Sequence, residues 1–275
     1  MSATREPTQI MGIVNVTPDS FSDGGDWIDP DAAVAHGLEL VSQGARFVDV
    51  GGESTRPGAG RVEPAEELNR VLPVVAGLAQ EGVTVSIDTM KSDVARRCID
   101  AGATLVNDVS GGLADPQMPA LIAERQLPFV AMHWRGHSDV MNDLAHYDNI
   151  VDEVLAALQS RVEALTTAGV QREQIILDPG FGFAKDAEHN WTLLAGLPQI
   201  TALGLRVLVG TSRKRFLGQL PSRPGADLDP DAAPSATNAR DIATAATSLL
   251  AAQAGPGPCA CTMSRPLKTP LPFGR

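Results

Sequence analysis

The sequence predicts an α/β protein, a (β/α)8 barrel of the TIM type that lacks its eighth strand and helix. Three observations carry this. Short runs rich in Val and Ile alternate with longer segments of helical period, the pattern of successive βα units around a parallel sheet. Polar, glycine-rich segments follow the apolar runs, where barrels of this kind build their sites at the carboxyl ends of the strands. Residues 256–275 carry prolines at 256, 258, 266, 270 and 272, and proline withdraws a ladder donor from a central strand and breaks a helix.

Strands are expected over 8–16, 45–51, 83–89, 104–110, 128–134, 175–181 and 206–212. Helices are expected at about 30–43, 64–80, 91–101, 116–125, 149–168, 187–203 and 237–253, with glycine stops at 44, 82, 102, 169 and 204. The organisation reads as a lead-in over 1–9, a barrel over 10–255 and an irregular Pro/Gly-rich tail over 256–275.

The formal net charge of −11 repels a polyanion over most of the surface, which argues against a nucleic-acid groove. An anionic ligand then needs a local cluster of Lys and Arg. No run of eighteen apolar residues and no leader-like start is present, which predicts a cytoplasmic protein without a membrane partner. Cys98, Cys259 and Cys261 are too few for a disulfide framework, and their spacing is poor evidence for zinc.

The candidate chemistry lies at the predicted strand ends. After the first strand, Asn15 opens a turn-rich loop and offers an oxygen suited to Mg²⁺, although the same loop reads equally as an ordinary helix cap. After the second, Gly51-Gly-Glu-Ser-Thr-Arg-Pro-Gly58 combines close backbone approach with a guanidinium fork for phosphate or carboxylate oxygens. Asp88 ends the third strand, as a site carboxylate or as the cap of the helix that follows. Asn107 stands among β-branched neighbours and must find a partner. Met132 can lie against a flat ring, and His133 reads as a structural histidine. Asp178 to Lys185 and Ser212-Arg-Lys-Arg215 complete the set with a hydroxyl and a cationic cluster, the latter placed at a helix start.

Taken in order, Met11–Gly25, Gly51–Gly58, Ser86-Ile-Asp-Thr89, Asn107-Asp-Val-Ser-Gly111, Asp178-Pro-Gly-Phe-Gly182 and Ser212-Arg-Lys-Arg-Phe216 resemble the dihydropteroate synthases. The resemblance runs from Ile10 to about Ala254. It implies condensation of 6-hydroxymethyl-7,8-dihydropterin diphosphate with 4-aminobenzoate, a sulfonamide-sensitive step of folate biosynthesis, in a homodimer that uses Mg²⁺. It further implies that Asp178, Asp88, Asn107 and Lys214 read the pterin edge and that Met132 and Phe183 lie against its ring. Asn15 with Mg²⁺, Thr55 and Arg56 would tend the diphosphate, and Ser212 and Phe21 the aminobenzoate. Lys214, Arg56 and Asp88 are the catalytic candidates.

The resemblance fails after Gly255, where the family's last strand carries an Arg-x-His pair that grips diphosphate. Codons compatible with Gly255–Ser264, read one register over, spell Ala-Trp-Ala-Val-Arg-Val-His-Asp-Val, so the tail reads as frameshifted and the chain as weak in turnover. Two alternatives stand beside a synthase: an activity-impaired paralogue or truncated product that binds pterin, and a pterin-binding domain of a corrinoid-dependent methyltransferase. The latter has no use for the Asn15 and Ser212-Arg-Lys phosphate machinery.

Overall fold

In a computed structural model, residues 8–17, 29–55, 58–137, 140–219, 240–254 and 259–263 are described. Eight parallel strands close into a barrel in sequence order. They are β1 Gln9–Asn15, β2 Phe47–Gly51, β3 Val85–Asp88, β4 Leu105–Asp108, β5 Phe129–Met132, β6 Ile175–Asp178, β7 Arg206–Val209 and β8 Cys259–Met263. The outer helices are α1 Pro30–Ser42, α2 Pro64–Gln80, α3 Ser92–Asp100, α4 Met118–Arg125, α5 Ile150–Thr167, α6 Ala187–Ala195, α7 Leu197–Thr201 and α8 Asp241–Gln253. The seven strands and their helices fall where the alternating pattern places them, and all five predicted glycine stops have positive φ.

The eighth strand corrects the expectation that none forms. Cys259–Met263 pairs with β1 from Gln9↔Ala260 to Gly12↔Met263 and with β7 from Val207↔Cys259 to Val209↔Cys261. Pro258 and Pro266 bracket a proline-free window, and a parallel ladder needs only backbone donors and acceptors. The facing edges of β1 and β7 supply their partners. A helix after this strand would fall beyond Met263, outside the described residues. One smaller correction follows. The helix expected at 187–203 divides at Gly196, with Pro198 in the first turn of α7. Gln9, inside the expected strand over 8–16, is the first residue of β1. The last helix is described from Asp241, and residues 237–239, where it was expected to begin, lie outside the described residues.

Strand alternation sorts the apolar side chains into two cores. Val14, Val48, Val50, Ile87, Val106, Phe129, Leu177 and Val209 face outward into the shell shared with the helices. Met11, Leu105, Val130, Ile176 and Leu208, with Phe47 packed on them, close the floor of the lumen. Side chains two positions further along each strand therefore point into the lumen at the barrel's carboxyl-end mouth.

Candidate active site

That two-residue step determines what the mouth contains. Two beyond Phe47 stands Asp49, two beyond Leu105 stands Asn107, two beyond Val130 stands Met132, and two beyond Ile176 stands Asp178. The ladders level Gly51 with Asp88, Asp88 with Asn107, and Met132 with Asp178. Four predicted site residues, Asp88, Asn107, Met132 and Asp178, thus share one wall, and Lys214 reaches them from the turn after β7.

Asp178 is buried and accepts from Gly180 N–H at 2.7 Å. Burial pushes its carboxyl up to about 6, against the pull of that N–H and of the Lys214 and Lys185 ammonium groups. Burial likewise pushes Lys214 down to about 8, with Asp178 and Asp88 opposing. The Lys214 ammonium sits 4.0 Å from the centre of the Phe183 ring, a cation–π contact. Phe183 in turn packs on the cluster of Met90, Val109 and Met132, giving an apolar surface beside the polar groups. Lys185 is buried beneath the loop and donates to the Gly180 and Phe183 carbonyls at 2.9 and 3.0 Å, with His133 Nδ1 at 3.1 Å. Burial lowers it to about 7. Burial, Lys185 and Arg135 together hold His133 down to about 2, so it is a neutral structural histidine, as the sequence suggests.

The loop needs glycine. Gly180 has φ +72°, and a Cβ there would come 2.7 Å from the His133 carbonyl oxygen. Gly182 has φ +76°, and its Cβ would meet Lys214 Cδ at 2.8 Å. The lysine stem therefore lies flat against backbone, which directs its ammonium to the mouth.

Further along the same wall, Asn107 Nδ2 donates to Asp49 Oδ2 at 2.8 Å. Asp88 is half-buried and lies against Gly51, where a Cβ would stand 3.2 Å from its Oδ2. Burial raises its carboxyl well above the ordinary range; Asp49, Glu67 and Asp108 add to this, and Lys214 opposes it. The helix-cap reading of Asp88 is set aside, because Asp115 accepts from Ser92 N at 2.8 Å and Thr89 from Lys91 N at 3.2 Å. Asp49 was not among the predicted site residues, and Lys185, expected in the cationic cluster for an anion, is instead buried against the turn's carbonyls. Asp49 had a signal, a carboxylate at lumen parity within Phe-Val-Asp-Val-Gly.

The remaining candidates divide. Asn15 ends β1, exposed at the lip and level with Gly51. Thr55 and Ser212 are half-buried on the loops after β2 and β7. Phe21 and Arg56 lie outside the described residues. The loop bearing Thr55 is anchored through Glu53, which binds Arg61 at 3.0 Å and Lys91; Lys91 also binds the buried Glu67. Arg213 leaves the predicted cationic cluster, since its fork grips Asp241 at 2.7 and 2.8 Å. The helix start invoked for that cluster is a short 3₁₀ turn, Arg215–Gly218. No group of three or more His, Cys, Asp or Glu poised for a metal occurs among the described residues, and no described helix is long and apolar enough to cross a membrane.

The arrangement gathers carboxylates, an amide, an ammonium and an apolar surface at one mouth, groups suited to the edge and face of a flat polar ring. Comparison with known proteins identifies the family. The family model described as "Pterin binding enzyme" matches residues 11–257. The dihydropteroate synthase of Mycobacterium leprae is 51% identical over 251 residues, covering 90% of this chain and 86% of that protein. Among solved structures, the Xanthomonas albilineans dihydropteroate synthase with 4-aminobenzoic acid superimposes with a TM-score of 0.83 at 42% identity, covering 94% of this chain and 89% of that one. The same enzyme in complex with 7,8-dihydropteroate gives 0.80 at 39%, with the same coverage.

Proposed function

The chain belongs to the dihydropteroate synthase family of pterin-binding enzymes, and on that premise we propose how its barrel mouth performs the reaction. The chain condenses 6-hydroxymethyl-7,8-dihydropterin diphosphate with 4-aminobenzoate, giving 7,8-dihydropteroate and diphosphate. The carbon–oxygen bond to the leaving group breaks, the aniline nitrogen bonds to the freed pterin methylene, and the nitrogen releases a proton.

Asp178 accepts the paired N–H groups of the pterin edge. Asp88 and Asn107 meet the other ring heteroatoms, and Lys214 donates on the carbonyl side. Met132 and Phe183 lie against the ring. An aniline nitrogen is already a free nucleophile, so no strong general base is needed; catalysis is positioning plus stabilisation of the charge that develops as diphosphate departs. Thr55 and Arg56 tend the diphosphate, and Ser212 and Phe21 the aminobenzoate. Asn15 at the lip supplies one neutral oxygen, which fits Mg²⁺, an ion that keeps waters and substrate phosphates as its other ligands. Bound there, it would neutralise charge on the leaving group. Pairing of two copies and a cytoplasmic setting are part of the same reading.

The observation that carries the proposal is the meeting of Asp178, Asp88, Asn107 and Lys214 beside Met132 and Phe183 on one inner wall. Steady-state turnover with both substrates and Mg²⁺ tests it: product should depend on each, and Asp178→Ala should abolish pterin binding in a calorimetric titration. A chain that binds no pterin diphosphate refutes it.

One observation favours a second reading, a chain that binds pterin with little turnover. Its last strand is Cys-Ala-Cys-Thr-Met, without a cation where the family grips diphosphate. Losing one preorganised donor to a developing anion typically costs about 10²–10³ in rate. On this reading kcat falls by that factor and aminobenzoate binds weakly even with diphosphate present. The tail beyond Gly255 is then a frameshifted stretch, and sequencing the gene across codons 250–275 should find Arg-Val-His in the shifted frame.

A further inference from the structure

Asp49 is 4% exposed inside the barrel, two residues below Gly51, which stands level with Asp88 and through it with Asn107. Its Oδ2 accepts from Asn107 Nδ2 at 2.8 Å. Among the described residues its Oδ1 has no hydrogen-bond partner, nor does the buried hydroxyl of the neighbouring Ser86. Ser86 lies close enough to favour the charged carboxylate without meeting it in good geometry, while burial pulls the other way and dominates. A residue kept for stability alone would have its oxygens satisfied, since an orphaned buried polar atom is a net loss. Asp49 instead bears that loss while holding, among the described residues, a well-formed hydrogen bond to an amide at the mouth.

A carboxylate accepts and does not donate, so the Asn107 amide turns its nitrogen to Asp49 and leaves its oxygen to accept from a donor at the mouth. The flipped amide would set two oxygens against each other. We propose that Asp49 is a positioning residue for pterin recognition, holding the Asn107 amide in the orientation that reads the pterin edge. This rests on the function proposed above. Asp49 acts only through Asn107 and does not itself touch substrate.

The test is a double-mutant cycle with Asp49→Ala and Asn107→Ala, read as the affinity for 6-hydroxymethyl-7,8-dihydropterin diphosphate by calorimetry. Asp49→Ala should weaken pterin binding about tenfold while leaving KM for 4-aminobenzoate and the melting temperature unchanged or, for the latter, raised. Asp49→Asn, whose amide oxygen can still accept from Asn107, should recover most of the loss. In the Asn107→Ala background, Asp49→Ala should cost nothing more. Full additivity of the two changes overturns the proposal, as does an equal loss for both substrates. If Asp49→Ala does not fold, the same cycle with Asp49→Ser decides. A wild-type chain that binds pterin yet gives an additive cycle defeats this inference alone; a wild-type chain that binds none defeats the proposed function as well.

Discussion

Asp178 and the two lysines beside it show one cause acting in opposite directions. Burial disfavours charge, so the carboxyl rises to about 6 and Lys214 falls to about 8. On the function proposed above, the pterin edge would need an ionised acceptor at Asp178 and, on its far side, a cation at Lys214. We predict a bell-shaped pH profile of kcat/KM for the pterin substrate, with limbs near 6 and 8, because that ratio reports the free enzyme. Asp178→Asn should remove the acid limb and weaken pterin binding about 10- to 100-fold, the worth of a charge-assisted hydrogen bond; an unchanged acid limb in that variant would place the titration elsewhere. Stability follows the signs separately. Asp178 holds its proton more tightly folded than unfolded, so its contribution favours the fold below its ordinary value of 3.8 and is withdrawn as pH rises to about 6. Lys185 releases its proton more readily when folded, so its unfavourable share is relieved as pH rises from about 7 toward 10.5.

Among the elements, the turn after β6 has the least room for change. Gly180 is left-handed, and the atom that a side chain would strike is a backbone oxygen that cannot swing away. Gly180→Ala should therefore cost about 2 kcal/mol or more and lower the melting temperature by about 5 °C for a domain of this size. It should also weaken pterin binding, because the same turn holds Asp178 through Gly180 N and Lys185 through Gly180 O. A thermal melt and a pterin titration of one sample check both; a melting temperature equal to wild type would show that the turn relaxes. The residues of this element were legible as Asp-Pro-Gly-Phe-Gly-Phe. What was not legible was that Lys185 is buried beneath it, because a lysine seven residues past β6 reads as one of a cationic cluster facing a ligand until the fold tucks it under. Arg213 went the other way: it reads as a free cation, and α8 brings Asp241 to it.

For the whole molecule, closure depends on β8. Its pairing with both β1 and β7 leaves neither with an open edge, and backbone hydrogen bonds worth about 1 kcal/mol each make this one strand worth about 5 kcal/mol, against a total stability of about 5–15 kcal/mol. Removing residues 255–275 should then yield a chain that unfolds without a cooperative transition or aggregates on size exclusion. A sharp melt within a few degrees of the full chain would show that seven strands suffice.

The sequence alone determined the alternation of strands and helices and the place of Asp88, Asn107, Met132 and Asp178 at the strand ends. Each of these is local: hydrophobic period sets the element, and the two-residue step sets the face. Only the tertiary structure decided that Cys259–Met263 is a strand, that Asp49 lies under Asn107, and that Arg213 is spent on Asp241. Those depend on partners far away in the chain. Two unpaired edges recruit a segment with little strand propensity, and a hydrogen bond across 58 residues exists only once the barrel has closed.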